Sequence, residues 1–377
     1  MLTQNILETE LLDIFHWLHR HPELSYQETG TTAKLRETLQ QVKIRILDLP
    51  LQTGLVAEIG TGDPLIALRA DIDALPIEEQ TSLPYRSEHH GKMHACGHDF
   101  HTTTMLGAAL LLKAEEENLH GRVRMVFQPA EEAPGGALRV LETNALEGVQ
   151  AIFGLHASPV FDVGTIGLRE GAVTAAVDHF KLQFIGKGTH AAHPEGGIDP
   201  ILMASNFVAS VQSVVTRNLN PFAAGLVSVT HVEAGNTWNV IPETAFVEGT
   251  TRSLAVEDRE TIQTRCVTLA EQIAKAYGGT LKADWRQGPP ATKNDPTWTD
   301  FARKIAEKEG LHIVPAPQSL GGEDFAYYQE KIKGTFVIVG TGKGASIHNP
   351  KFQVNPQAIL PTAKFFAQLA KEALLNV

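Results

Sequence analysis

Short apolar runs alternate with amphipathic helical patterns through the first 170 residues, and this alternation constrains the fold more than any other feature. "LVAEIG" (55–60), "LIALRAD" (65–71), "RVRMVFQPAEE" (122–132) and "AIFGLHASP" (151–159) read as strands. Around them, residues 5–20, 31–42, "HTTTMLGAALLLKAEEE" (101–117) and "GALRVLETNAL" (136–146) carry apolar positions at helical spacing. Strands alternating with helices predict an α/β sheet with helices on both faces. Ligands of such sheets gather just beyond the strand ends.

The pattern changes near residue 175. "DHFKLQFIGKG" (178–188) alternates apolar and polar like a half-solvated strand. "DPILMASNFVASVQSVVTRNL" (199–219) and "VEDRETIQTRCVTLAEQIAKAYG" (256–278) read as helices, with "AGLVSVTHVEAG" and "TAFVEGTTRSL" as strands between them. From about residue 290 the first style returns, with a buried strand "TFVIVGTG" and a closing helix over 357–375. At 377 residues the chain exceeds one typical core. We expect a discontinuous α/β domain over 1–175 and 290–377, interrupted by an α+β domain over 176–289.

Thirty-two basic residues stand against 43 acidic ones, a formal charge of −11, with no run of Lys and Arg; nucleic acid is therefore not expected as a partner. No apolar stretch approaches 18 residues, so no membrane span is expected. The start "MLTQNILETELLDIF" reads as an acidic amphipathic helix without the basic start or cleavage site of a signal peptide, which implies a cytoplasmic protein. Two cysteines, Cys96 and Cys266, exclude a disulfide scaffold. Cys266 shares a helical stripe with Ile262, Leu269 and Ile273 and reads as a core residue.

Cys96 has no such stripe. It lies in "MHACGHDFH" (93–101), which admits three readings: a metal site, a cysteine nucleophile or a polar loop. In an extended segment Cys96 and His98 project to one side, and a thiolate with an imidazole suits zinc, manganese, cobalt or nickel. Other strand ends add Asp71 and Asp73 in "LRADIDALP", Glu131 and Glu132 in "FQPAEEAPGG", and His156 in "FGLHASP". A loop after a later strand adds His348 in "GASIHNP". Taken singly, each has a simpler reading as a cap, a solvated pair or a loop histidine. Their shared place at strand ends favours a metal centre, because unpaired buried carboxylates are costly.

"RHPELSYQE", "RADIDALP", "MHACGHDFHTTTMLGAA", "FQPAEE", "GLHASP", "GKGTHAAHP", "AGNTWNVIP", "EGTTRS" and "GGEDF" occur in this order. Across essentially its whole length the chain resembles the dinuclear metal amidohydrolases. That group includes aminoacylases, hippurate hydrolases, plant auxin-amide (IAA-amino acid) hydrolases and carboxypeptidase G-like enzymes. The Cys in the metal motif is similar to the branch acting on N-acylated amino acids.

The resemblance implies a mixed-sheet metallopeptidase-like catalytic domain with an inserted α+β lid and dimerisation domain. It implies two divalent ions per chain (Zn, Mn, Co or Ni), held by Cys96, His98, Glu132, His156 and His348. Glu131 is then the general base for a metal-activated water, and Asp73 orients a ligand. His190 is expected to stabilise the oxyanion, in this family usually in the partner subunit of a homodimer. Asn239, Arg252 and Gly322 are expected to hold a small N-acyl amino acid, with Arg252 suited to its carboxylate. Asp71 stands where related branches carry a metal-binding histidine, which leaves its own role open. His89, His90 and His193 match no ligand position. The implied reaction is hydrolysis of N-acyl (acetyl, benzoyl or similar) amino acids. The alternatives are an N-acetyl-diaminopimelate deacetylase of lysine biosynthesis or a non-catalytic relative. A structural zinc site would be closed by four protein ligands and would not need Glu131.

Overall fold

The structure, a computed structural model, describes residues 4–377; the first three residues of the expected N-terminal helix lie outside the described residues. The chain divides into two compact units. The larger comprises the chain up to Gly171 with Lys293–Pro317 and Asp324–Val377, and the smaller comprises Ala172–Thr292 with Gln318–Glu323.

An eight-stranded mixed sheet organises the larger unit, in the order Arg45–Ile46, Leu55–Gly60, Arg122–Gln128, Leu65–Asp71, Ala151–Ser158, Gly334–Gly340, Thr165–Leu168 and His312–Pro315. Its four central strands run parallel, from Arg122–Gln128 across to Gly334–Gly340. Every residue of Leu65–Asp71 is buried. Ile66, Leu68 and Ala70 pack on one face with the helices Gln4–Arg20, His98–Ala114, Pro296–Lys308 and Ile359–Ala373. Leu65 and Ala67 pack on the other, beneath Gly136–Glu142 and Ala326–Gln329. Burial of a side chain such as Leu68 or Phe153 stabilises the sheet by about 1.5–3 kcal/mol. The α/β class with helices on both faces is thus borne out.

Helix bounds differ from expectation, most of all at two places in this unit. The helix expected over 101–117 starts at His98 and ends at Ala114, and the one expected over 136–146 stops at Glu142.

The smaller unit is an antiparallel sheet in the order Gly225–Ala234, Thr244–Ser253, Ala176–Ile185, Thr280–Gln287. Phe180, Leu182 and Phe184 alternate inward and meet Met203, Phe207, Ile262 and Cys266 from the covering helices. Cys266 is fully buried there, and burial pushes its thiol up to about 12. The helix expected over 199–219 is two, Pro200–Ser210 and Gln212–Asn218. Asp199 caps the first by accepting from Ile201 N at 2.8 Å. At the break Ser213 Oγ donates to Ser210 O at 2.6 Å, competing with the helical ladder.

Candidate metal centre

Because the four central strands are parallel, their carboxyl ends line one edge of the sheet. Asp71 ends its strand, Glu131 and Glu132 follow Gln128, and His156 sits two residues before the end of Ala151–Ser158. His348 lies in the loop beyond Gly334–Gly340, in a left-handed conformation (φ 62°) held by its N–H donating to Ala95 O at 2.8 Å. The sequence predicts an extended segment that projects Cys96 and His98 to one side, and the structure corrects this, since a turn at Gly97 brings them together. Gly97 between them is left-handed (φ 93°) and caps the helix that His98 opens. A Cβ at Gly97 would lie 2.9 Å from Ala157 Cβ, so both the turn and the close approach require glycine.

This turn brings Cys96 Sγ within 3.4 Å of His156 Nε2 and 3.3 Å of His348 Nε2. His348 Nε2 lies 3.2 Å from Glu132 Oε1. The possible donor groups, each with its ligand atoms within 4.8 Å of one another, include Cys96–His98–His156, Cys96–Glu132–His348, His98–Glu131–Glu132 and Asp71–His98–His101. The first three share Cys96, His98 and Glu132, so these donors form one continuous cluster.

Asp73 organises this edge. Its Oδ1 pairs with His98 Nδ1 at 3.2 Å, which leaves Nε2 turned towards the donors. Its two oxygens accept from Glu131 N and Glu132 N, each at 3.0 Å, and Ser25 Oγ donates to it at 2.6 Å. His156 Nδ1 is occupied in the same way, by Ala157 O at 2.8 Å. Occupied Nδ1 atoms set the tautomer in which Nε2 binds a metal.

Asp71 proves to be a neighbour of this edge with other partners. Arg69, fully buried, donates to Asp71 Oδ2 and Asp324 Oδ1 at 2.7 Å and to Gln128 Oε1 at 2.8 Å. Asp71 Oδ1 also holds His101 Nδ1 at 2.6 Å. Burial opposes the charge of Asp71, but His98, His101 and Arg69 together hold its carboxyl well below the ordinary range. Burial lowers the pKa of His101 to about 4, so its ring stays neutral. Sequence reasoning missed Arg69 and His101. His101 is three residues after His98 on one helix, a spacing that puts both on one face.

The donors fit divalent metal. His98 Nε2 is a buried side-chain atom with no hydrogen-bond partner, and the buried Glu132 Oε1 meets only the His348 ring, at 3.2 Å. A buried ring nitrogen left unpaired among carboxylate, thiol and imidazole groups is placed as a metal ligand would be. Burial pushes the Cys96 thiol well up, yet burial is overcome at Asp73 and Glu132, whose pKa values are lowered by His98 and by His348 respectively. Burial likewise disfavours a charged His98, and Asp71 and Asp73 override it. The edge joins soft and hard donors, a set that suits a divalent cation.

The remaining expected residues belong to the smaller unit. His190 and Asn239 are brought together there: Thr189–His190 pairs with Val240–Ile241, and Ala191 N donates to Asn239 O at 3.0 Å. The His190 side chain is exposed and accepts from Ala192 N at 3.1 Å. Arg252 is half-buried, donates to Thr251 O at 2.9 Å and, among the described residues, forms no ion pair. Gly322 is exposed against Val177.

The profile of peptidase family M20/M25/M40 matches residues 67–372. The chain belongs to this family. Among its relatives, an N-acetylcysteine deacetylase of Bacillus subtilis (strain 168) is 47% identical over 372 residues, 98% of either chain. The IAA-amino acid hydrolase ILR1-like 4 of Arabidopsis thaliana is 38% identical over 384 residues, 97% of this chain and 87% of its own. The crystal structure of the Bacillus subtilis YXEP protein, a dinuclear metal binding peptidase from the M20 family, superposes with a TM-score of 0.91 at 44% identity, covering all of both chains. The family resemblance read from the motifs is borne out.

Proposed function

We propose that this M20 family chain hydrolyses N-acyl amino acids to a carboxylate and a free amino acid. In this reading Cys96, His98, Glu132, His156 and His348 hold two divalent ions. The observation that carries it is the donor group shared by Glu131, Glu132 and His98: one loop supplies both a ligand and a carboxylate beside it. When bound, the ions polarise the scissile carbonyl and acidify the attacking water towards a pKa of about 7. Glu131 takes the proton of that water and passes it to the leaving nitrogen. Asp73 keeps His98 and both glutamates in register through its bonds to His98 Nδ1 and the two backbone N–H groups.

His190 stabilises the developing oxyanion in this reading, while Asn239, Arg252 and Gly322 hold the substrate. The absence of an ion pair at Arg252 among the described residues supports its use for a free carboxylate. The donor set of thiolate, imidazole and carboxylate admits zinc, manganese, cobalt or nickel. The smaller unit serves as lid and dimerisation domain, a role supported by exposed Ile201 and Leu202 on its helix and by Val232 on its edge strand. No helix among the described residues is long and apolar enough to cross a membrane; we read the chain as a cytoplasmic homodimer. Among acyl groups, relatives that deacetylate N-acetylcysteine support acetyl.

The test measures bound metal and amine release from N-acetylcysteine, hippurate, an indole-3-acetyl amino acid and N-acetyl-diaminopimelate. Near two ions per chain with release from at least one substrate is expected. One inert ion and no release would overturn the reading. Release from N-acetyl-diaminopimelate alone would replace it with that deacetylase.

A further inference from the structure

Of the motif "RHPELSYQE" only Ser25, the donor to Asp73, enters the site described above, yet Tyr26 and Glu28 also reach the loop that carries Glu131 and Glu132. Glu28 stands at the N-cap of the helix Thr29–Gln41 but makes no side-chain bond to that helix. Capping falls instead to Glu23, which accepts from Gly30 N at 2.9 Å and Thr31 N at 2.8 Å. The Glu28 carboxylate is fully buried and turned away from the helix. Its Oε1 accepts from Ala130 N at 2.8 Å, and its Oε2 accepts from Thr53 Oγ1 at 2.7 Å.

Ala130 is the residue before Glu131, and its backbone is left-handed (φ 54°). A residue with a Cβ holds that conformation where its surroundings impose it. With Asp73 bonded to Glu131 N and Glu132 N, three consecutive N–H groups of this turn end on two buried carboxylates. Such runs of backbone N–H groups form a concave anion cradle, here filled by the chain itself. Beyond the turn, Tyr26 Oη donates to Pro134 O at 2.5 Å, so the same motif also tethers the far side of the loop.

We infer that Glu28 is a positioning residue for hydrolysis, fixing through the Ala130 N–H the turn from which Glu131 and Glu132 project. This role rests on Glu131 acting as the base. It depends on reach and acceptance, not on charge. Glu28→Gln keeps an oxygen at the same distance, and its amide can donate to Thr53; Glu28→Asp keeps the charge but is one methylene short.

The experiment compares the metal-loaded full chain with its Glu28→Gln, Glu28→Asp and Glu131→Gln variants. It reads kcat, KM, bound metal and amide hydrogen exchange in the peptide covering residues 129–136. Glu28→Gln should hold kcat within about threefold. Glu28→Asp should lower kcat by about tenfold or more with KM nearly unchanged, since small misplacements of a reacting group act on the transition state. Exchange at residues 130–132 should quicken in Glu28→Asp but not in Glu28→Gln. Wild-type kcat and exchange in Glu28→Asp overturn the inference. So does an equal loss in both variants, which would make the charge decisive. If Glu28→Asp fails to fold, Thr53→Val takes its place; it should quicken exchange and lower kcat severalfold, and no change in either overturns the inference. Full turnover in Glu131→Gln sinks the reading of the base instead, while the exchange data still decide whether Glu28 holds the turn.

Discussion

The backbone N–H of Ala157 donates to Nε2 of His101 at 2.7 Å. His101 must therefore carry its proton on Nδ1, which it gives to Asp71. A neutral ring clamped at both ends thus fixes the strand immediately after His156. His101→Leu leaves the Ala157 N–H and one Asp71 oxygen unpartnered, costing about 1–3 kcal/mol for each. Metal affinity should fall roughly tenfold or more, as for other groups that orient a ligand. Urea unfolding measures the first effect and chelator competition the second. Lost stability with unchanged affinity would confine His101 to folding.

His19 gives the fold a pH dependence of its own. Burial disfavours its charge, but Asp99 at 2.6 Å and Glu79 at 3.3 Å outweigh burial and raise its pKa to about 9. The folded value lies above the ordinary 6.5, so this contribution is full below pH 6.5 and is lost as pH rises through about 9. Its upper size is about 3 kcal/mol. Urea titrations of wild type and His19→Gln should differ most near pH 6 and converge towards pH 9.5. A constant difference across that range would mean that packing, not charge, is what His19 supplies.

Removing metal should abolish amine release and leave far-UV circular dichroism nearly unchanged, because the sheet's cores lie among Leu, Ile, Val and Phe side chains. Full activity after exhaustive chelation would exclude a metal-dependent reaction.

Glu131→Gln keeps the size of the side chain and removes its basicity. Turnover should fall by at least about 10²-fold with metal content unchanged. Glu132→Gln should instead lose metal. The opposite pattern would exchange the two roles.

Mixing inactive His190→Ala chains with inactive Glu131→Gln chains tests the proposed dimer. If His190 serves its partner, a mixed dimer holds one site with both groups intact, and part of the activity returns. Confirmed subunit exchange without recovery assigns His190 to its own chain or to no catalytic role.

Much of the larger unit was legible because its central strands are buried on both faces. Leu65–Asp71 and Ala151–Ser158 read as strands from their apolar runs, and the donors read as donors because charge at a buried strand end needs a reason. Arg69 was not legible: its burial depends on Asp324, distant in sequence, and on Gln128 from the neighbouring strand. The turn at Gly97 was misread as extended, since a single left-handed glycine leaves no periodic trace. The pairing of His190 with Val240 rests on strands of two residues, too short for any alternation to register. Gln318–Glu323 joins the smaller unit through bonds such as Ala175 N to Gly321 O, which no local pattern announces.

Gly334–Gly340 lies inside the sheet, between Ala151–Ser158 and Thr165–Leu168, although it is the last strand made. During synthesis the larger unit cannot close until this strand emerges, whereas nearly all of the smaller unit is already available in one continuous stretch. Contacts of such long sequence separation form late and slowly. A nascent chain should therefore carry a finished small unit beside an open sheet with exposed apolar edges. That interval, rather than the mature protein, is where aggregation and chaperone capture should concentrate.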